Sequence, residues 1–107
     1  MKIAVLGAGA WGTALAISFS SHHAVSLWGR DPAQLAALAH ERRNRRYLPD
    51  VVLPESLNIV PQLAAALSGV DLVLIATPTG GLTEALPMAK SAHVPILWAC
   101  KGFDRAS

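Results

Sequence analysis

The run Met1-Lys2-Ile3-Ala4-Val5-Leu6 passes directly into Gly7-Ala8-Gly9-Ala10-Trp11-Gly12, and the following stretch to Ser20 is rich in Ala, Leu, Ile and Phe. A G-x-G-x-x-G pattern alone is a weak signal. One that leaves an apolar strand and opens a helix is a dinucleotide-binding fingerprint in its required context. Gly7 then allows the tight turn out of the strand, Gly9 lets the backbone approach a pyrophosphate, and Gly12 lets the helix pack on the sheet. The helix N-terminus offers free N–H groups and the positive end of its dipole to the phosphates, and Ala10 is counted with the loop's cofactor-binding residues. Two rival readings exist. Lys2 before an apolar run and Ala8-Gly9-Ala10 resemble a secretory signal, but the run is shorter than the ~7–15 residues such a signal needs. A plain glycine-rich turn is the other.

With 107 residues, the chain is expected to form one domain with a real core, too short for a typical two-domain enzyme. Hydrophobic residues make up 52% and charged residues 15%, which excludes disorder and suits a sheet buried on both faces. No apolar stretch reaches the ~20 residues of a membrane span, and the single cysteine, Cys100, excludes an internal disulfide. A soluble, cytoplasmic protein is expected. The net charge of +2 is concentrated between residues 30 and 50, where five arginines face three carboxylates. Before Arg30 there is no acidic residue, so nothing near in sequence repels a phosphate from the glycine loop.

The remaining pattern alternates strands and helices. Ala24 to Trp28 reads as a second strand, and Asp31-Pro32 as the N-cap and first position of a helix to about Arg43. Asn44 to Ser56, with Pro49 and Pro54, reads as an ordered loop. Leu57 to Val60 reads as a third strand, and Pro61 to Ser68 as a helix ended by Gly69. Asp71 to Ala76 is the clearest buried strand; a helix from about Gly81 to Ala92 and a fifth strand from Pro95 to Ala99 follow. This order predicts an α/β fold, a Rossmann-type doubly wound parallel sheet in strand order 3-2-1-4-5.

Ligands of such sheets bind beyond the carboxyl ends of the strands, near the point where strand order reverses. Four segments fall on that rim: Gly7 to Gly12, Gly29-Arg30, Thr77-Pro78-Thr79 and Lys101-Gly102. NAD-binding folds usually place Asp or Glu after the second strand, to accept hydrogen bonds from the adenosine ribose. Here Gly29 and Arg30 stand there instead. A guanidinium in place of a carboxylate favours the 2′-phosphate of NADP, bound by charge-assisted, bidentate hydrogen bonds. The competing reading pairs Arg30 with Asp31 at the surface.

Other groups carry less. The Arg42 to Arg46 cluster has only Tyr47 as an aromatic neighbour and reads as a solvated helix end rather than a nucleic-acid surface. His22, His23, His40 and His93 lack metal-ligand spacing with any acidic or Cys partner, so no metal site is expected. Trp28 and Trp98 read as core residues and Cys100 as a small buried hydrophobe. Lys101 is either a surface lysine or a site residue.

Three stretches, Gly7-Ala8-Gly9-Ala10-Trp11-Gly12-Thr13-Ala14-Leu15-Ala16, Asn44-Arg45-Arg46-Tyr47-Leu48-Pro49 and Lys101-Gly102-Phe103-Asp104, together resemble the N-terminal domain of bacterial NAD(P)-dependent glycerol-3-phosphate dehydrogenases. The likeness spans essentially the whole chain. It implies hydride transfer between NAD(P)H and dihydroxyacetone phosphate or sn-glycerol 3-phosphate, in phospholipid precursor synthesis. It also implies cofactor contacts from Trp11, Arg30 and Tyr47, and a Lys101 that meets substrate beside the nicotinamide; Pro78 joins the expected cofactor contacts from its place on the rim. The family's general acid/base lysine lies in a helical C-terminal domain absent from these 107 residues, so cofactor binding without turnover is expected. Residues that would pack on that domain leave an apolar patch through which homo-oligomers could form. Gly29 departs from the bulkier residue expected before Arg30, implying a looser adenosine pocket, and Asp50 stands where the family often has a small residue. Another 2-hydroxyacid or ketopantoate-type dehydrogenase is the alternative enzyme, and a nucleotide-sensing module the alternative outside enzymes.

Overall fold

The computed structural model describes residues 1–44, 48–76, 87, 90–91 and 93–98. The chain runs β1 (Lys2–Leu6), α1 (Ala10–Ser20), β2 (Ala24–Trp28), α2 (Pro32–Glu41), β3 (Arg43–Asn44), β4 (Leu48–Val52), β5 (Leu57–Ile59), α3 (Leu63–Leu67), β6 (Leu72–Ile75) and β7 (Ile96–Trp98). Five of these strands form one sheet in the order β5-β2-β1-β6-β7, all neighbours parallel. Counting only those five, this is the expected 3-2-1-4-5.

Strand β1 is central because it is apolar on both faces: Ile3, Ala4, Val5 and Leu6 are all buried. It pairs Ile3 with Val25 on one side and with Leu72 on the other. From β1 the sheet grows outward through β2 to β5, then resumes on the opposite side with β6 and β7. Right-handed crossovers in the two directions place their helices on opposite faces, and the reversal lies between β1 and β6. The core comprises the sheet residues Val25, Leu27, Leu57, Val73 and Ile75 with Leu35 and Leu38 of α2 and Ala66 of α3.

Helix α2 starts as its sequence predicts. The Asp31 carboxylate accepts from the N–H groups of Ala33 at 3.0 Å and Gln34 at 3.4 Å, with Pro32 in the first turn. It ends earlier than expected, because Arg42 turns into the left-handed region at φ 55°. The Asn44 to Ser56 segment is not a loop throughout: β3 and β4 form an antiparallel two-stranded ribbon, pairing Arg43 with Val52 and Asn44 with Leu48. Pro49 is tolerated because each strand of a two-stranded ribbon has a free edge that needs no N–H donor. The helix expected over 81 to 92 falls mostly outside the described residues; Pro87, Lys90 and Ser91 are helical.

Candidate nucleotide-binding site

The glycine loop sits at the carboxyl end of β1 and is tied to both neighbouring strands. The Gly7 N–H donates to the carbonyl of Trp28 at the end of β2, at 2.6 Å, and the Leu6 carbonyl accepts from the Ala76 N–H beyond β6, at 2.9 Å. Gly7 has φ 126°, a conformation that L side chains rarely adopt, as the turn out of the strand requires. A Cβ on Gly12 would lie 1.8 Å from the Gly7 carbonyl oxygen and 3.3 Å from the Ala76 Cβ. Gly12 thus lets the first turn of α1 close over the loop itself.

Gly9 is different. It is the N-cap of α1, with φ −78° and no side-chain cap, and a Cβ there would meet nothing within 4 Å among the described residues. Neither backbone conformation nor crowding within the protein calls for glycine at this position. An uncrowded glycine at a helix start leaves room for a group that approaches the backbone closely. The first intrahelical bond runs from the Thr13 N–H to the Gly9 carbonyl at 3.0 Å. The N–H groups at the start of α1, from Ala10 and Trp11, are among those a helix leaves without intrahelical acceptors.

Arg30 follows β2 on the same rim. Gly29 before it is buried, and a Cβ there would lie 2.9 Å from the Ala8 Cβ. The loops after β1 and β2 therefore touch, with Gly29 packed against Ala8. Arg30 is exposed and makes no ion pair among the described residues. The rival partner, Asp31, has its carboxylate engaged by the N-terminus of α2. Tyr47, Pro78 and Lys101 lie outside the described residues, as do the side chains of Trp11 and Trp98; Trp28 is buried, as expected.

Arg42 is not part of a solvated helix end. Its guanidinium donates to the carbonyls of Pro54 at 2.5 Å and Leu57 at 2.7 Å, stapling the end of α2 to the start of β5. Asn44, which sequence reasoning singled out only as the first residue of a motif, is 1% exposed. Its side-chain amide donates to the Ala8 carbonyl and to the Thr13 hydroxyl, both at 2.9 Å. Gln34 Nε2 reaches the same carbonyl at 2.9 Å. No local pattern marks these contacts, since they span 36 and 26 residues of chain. A cavity of about 300 Å³ beside them is lined, among the described residues, by Asp31, Gln34, Glu41, Arg43 and Asn44 with others.

A family model described as NAD-dependent glycerol-3-phosphate dehydrogenase N-terminus matches residues 2–107. The chain belongs to this family of glycerol-3-phosphate dehydrogenase N-termini. Family relatives include a glycerol-3-phosphate dehydrogenase [NAD(P)+] from Aromatoleum aromaticum, 49% identical over 106 residues, covering 97% of this chain and 32% of the relative. Another, from Nitrosomonas europaea, is 49% identical over 109 residues, covering 100% of this chain and 33% of the relative. The chain thus spans about a third of the length of these curated relatives. Among solved structures, glycerol-3-phosphate dehydrogenase from Coxiella burnetii superposes with a TM-score of 0.86 at 36% identity, over 94% of this chain and 32% of that one. The fold is the family's N-terminal Rossmann-like α/β domain. No helix among the described residues is long and apolar enough to cross a membrane.

Proposed function

We propose that the chain is the nucleotide-binding part of an NAD(P)-dependent glycerol-3-phosphate dehydrogenase, an oxidoreductase acting between dihydroxyacetone phosphate and sn-glycerol 3-phosphate in the cytoplasm. The observation that carries the nucleotide half is Gly9, a helix N-cap that no described residue crowds, at the N-terminus of a helix on the reversal rim. Membership of the family supports the reaction half.

In this reading the N–H groups of Gly9, Ala10 and Trp11 receive the pyrophosphate, and the Gly7 turn and Gly12 contact keep them converged. Arg30 holds the adenosine 2′-phosphate through its guanidinium. Trp11, Tyr47 and Pro78 complete the nucleotide contacts, and the bound nicotinamide supplies the hydride. Lys101 is assigned to substrate, where an ammonium binds phosphate or polarises the C2 carbonyl. The acid/base step belongs to a lysine of the C-terminal domain that the resemblance implies.

One sample tests both halves. These 107 residues, mixed with NADPH and dihydroxyacetone phosphate, are expected to show nucleotide binding by tryptophan fluorescence without NADPH consumption. Consumption at an ordinary enzymatic rate would remove the requirement for a second domain. Absence of binding would remove the function.

A further inference from the structure

Three side chains from distant parts of the chain converge on one carbonyl of the glycine loop. The Ala8 oxygen accepts from Asn44 Nδ2 at 2.9 Å, from Gln34 Nε2 at 2.9 Å and, at a longer 3.4 Å, from Thr13 Oγ1. Asn44 Nδ2 also donates to Thr13 Oγ1 at 2.9 Å, closing a triangle. Thr13 is 0% and Asn44 1% exposed, among the few polar residues buried with the apolar core. Burying an amide and a hydroxyl is costly unless they are bonded, and one donor is enough to satisfy a buried carbonyl. A carbonyl oxygen has two lone pairs, so this one is saturated.

What the triangle fixes is the plane of the Ala8–Gly9 peptide. The chain contains no cis peptide bond among the described residues, and in a trans peptide the N–H points opposite to the C=O. With the Ala8 oxygen held by Asn44, Gln34 and Thr13, the Gly9 N–H faces away from them. It takes no hydrogen bond among the described residues, and it stands at the N-cap of α1, beside the open space over Gly9. A flipped peptide would turn a carbonyl oxygen, with its partial negative charge, toward an incoming pyrophosphate.

We propose that Asn44, with Gln34 and Thr13, is a positioning residue for the dinucleotide, holding the Ala8–Gly9 peptide so that the Gly9 N–H donates to the pyrophosphate. This rests on the reading of the glycine loop as the nucleotide site. The pyrophosphate is common to NADH and NADPH. Loss of the clamp therefore weakens both equally and leaves their ratio unchanged, unlike a change at Arg30.

The test is titration of the chain with each nucleotide, followed by tryptophan fluorescence, alongside the amide resonance of Gly9. Asn44→Leu removes the buried donor at similar volume and is expected to weaken both nucleotides about tenfold or more. Gln34→Met is the safer companion: it keeps length and helix propensity, adds no charge and removes one donor from a half-buried site. It is expected to fold normally and to lose about three- to tenfold for both nucleotides. The nucleotide-induced shift of the Gly9 amide should shrink in both variants. If the unsubstituted chain binds and Gln34→Met and any folded Asn44→Leu bind equally well, the clamp is wrong. Weakening of only one nucleotide would also overturn it. No binding by the unsubstituted chain would overturn the nucleotide reading itself, a separate outcome.

Discussion

A methyl group on Gly12 would lie 1.8 Å from the Gly7 carbonyl oxygen, whereas one on Gly9 would meet nothing within 4 Å among the described residues. The two glycines therefore separate folding from binding. Gly12→Ala forces a backbone shift and is expected to cost about 3 kcal/mol of stability, the upper part of the overpacking range. Gly9→Ala loses N-cap preference, roughly 1 kcal/mol, and regains about 0.4–1 kcal/mol from the unfolded chain, so its stability stays close to that of the parent. Urea denaturation checks both. Nucleotide titration of Gly9→Ala should nevertheless show weakened binding, because the methyl occupies the ligand's approach. Arg30→Ala should lower NADPH affinity about ten- to hundredfold while leaving NADH nearly unchanged. Equal affinities for the two nucleotides in the unsubstituted chain would remove Arg30 from the site. The placement of the glycine loop and Arg30 on one rim was legible because it follows from local position after a strand. Asn44 was not, since its partner is a backbone carbonyl 36 residues earlier and nothing beside it in sequence records the contact.

At the level of elements, legibility followed the strength of the local signal. The Asp31-Pro32 start of α2 was readable because cap and proline act within one turn, and the unbroken apolar run of β6 left few alternatives. The end of α2 was misplaced because the stop comes from tertiary contacts. Arg42 adopts φ 55° while its guanidinium bonds the Pro54 and Leu57 carbonyls. The ribbon of β3 and β4 was hidden for a related reason: one strand has two residues, the other contains Pro49, and neither alternates cleanly. Arg42 gives a test. Arg42→Ala loses both carbonyl contacts and keeps the left-handed conformation, and should destabilise by about 2 kcal/mol or more. Arg42→Gly loses the same contacts and relieves the backbone, so it should be milder by roughly 1 kcal/mol. Chemical denaturation of the pair distinguishes the two contributions. Equal losses would mean the backbone conformation at 42 carries no penalty.

Across the whole molecule, a parallel sheet whose growth reverses between β1 and β6 places the glycine loop and the loop after β2 on one rim. Strand order was predictable from the alternation of strands and helices, because right-handed crossovers leave few topologies. The contribution of Tyr47, Pro78 and Lys101 to that rim is part of the proposal, since those residues lie outside the described ones. The assignment of Tyr47 and Lys101 comes from the resemblance, as does the substrate, and that of Pro78 from its place after the fourth strand in sequence. What is proposed most directly from this chain's own geometry is a nucleotide seat at the start of α1, and that can be measured without the reaction. NADPH and NADH titrated into the 107-residue chain should each give saturable quenching of its three tryptophans, with NADPH binding tighter. Failure of both nucleotides to quench fluorescence or raise the melting temperature of the folded chain would mean that the glycine loop is only a turn.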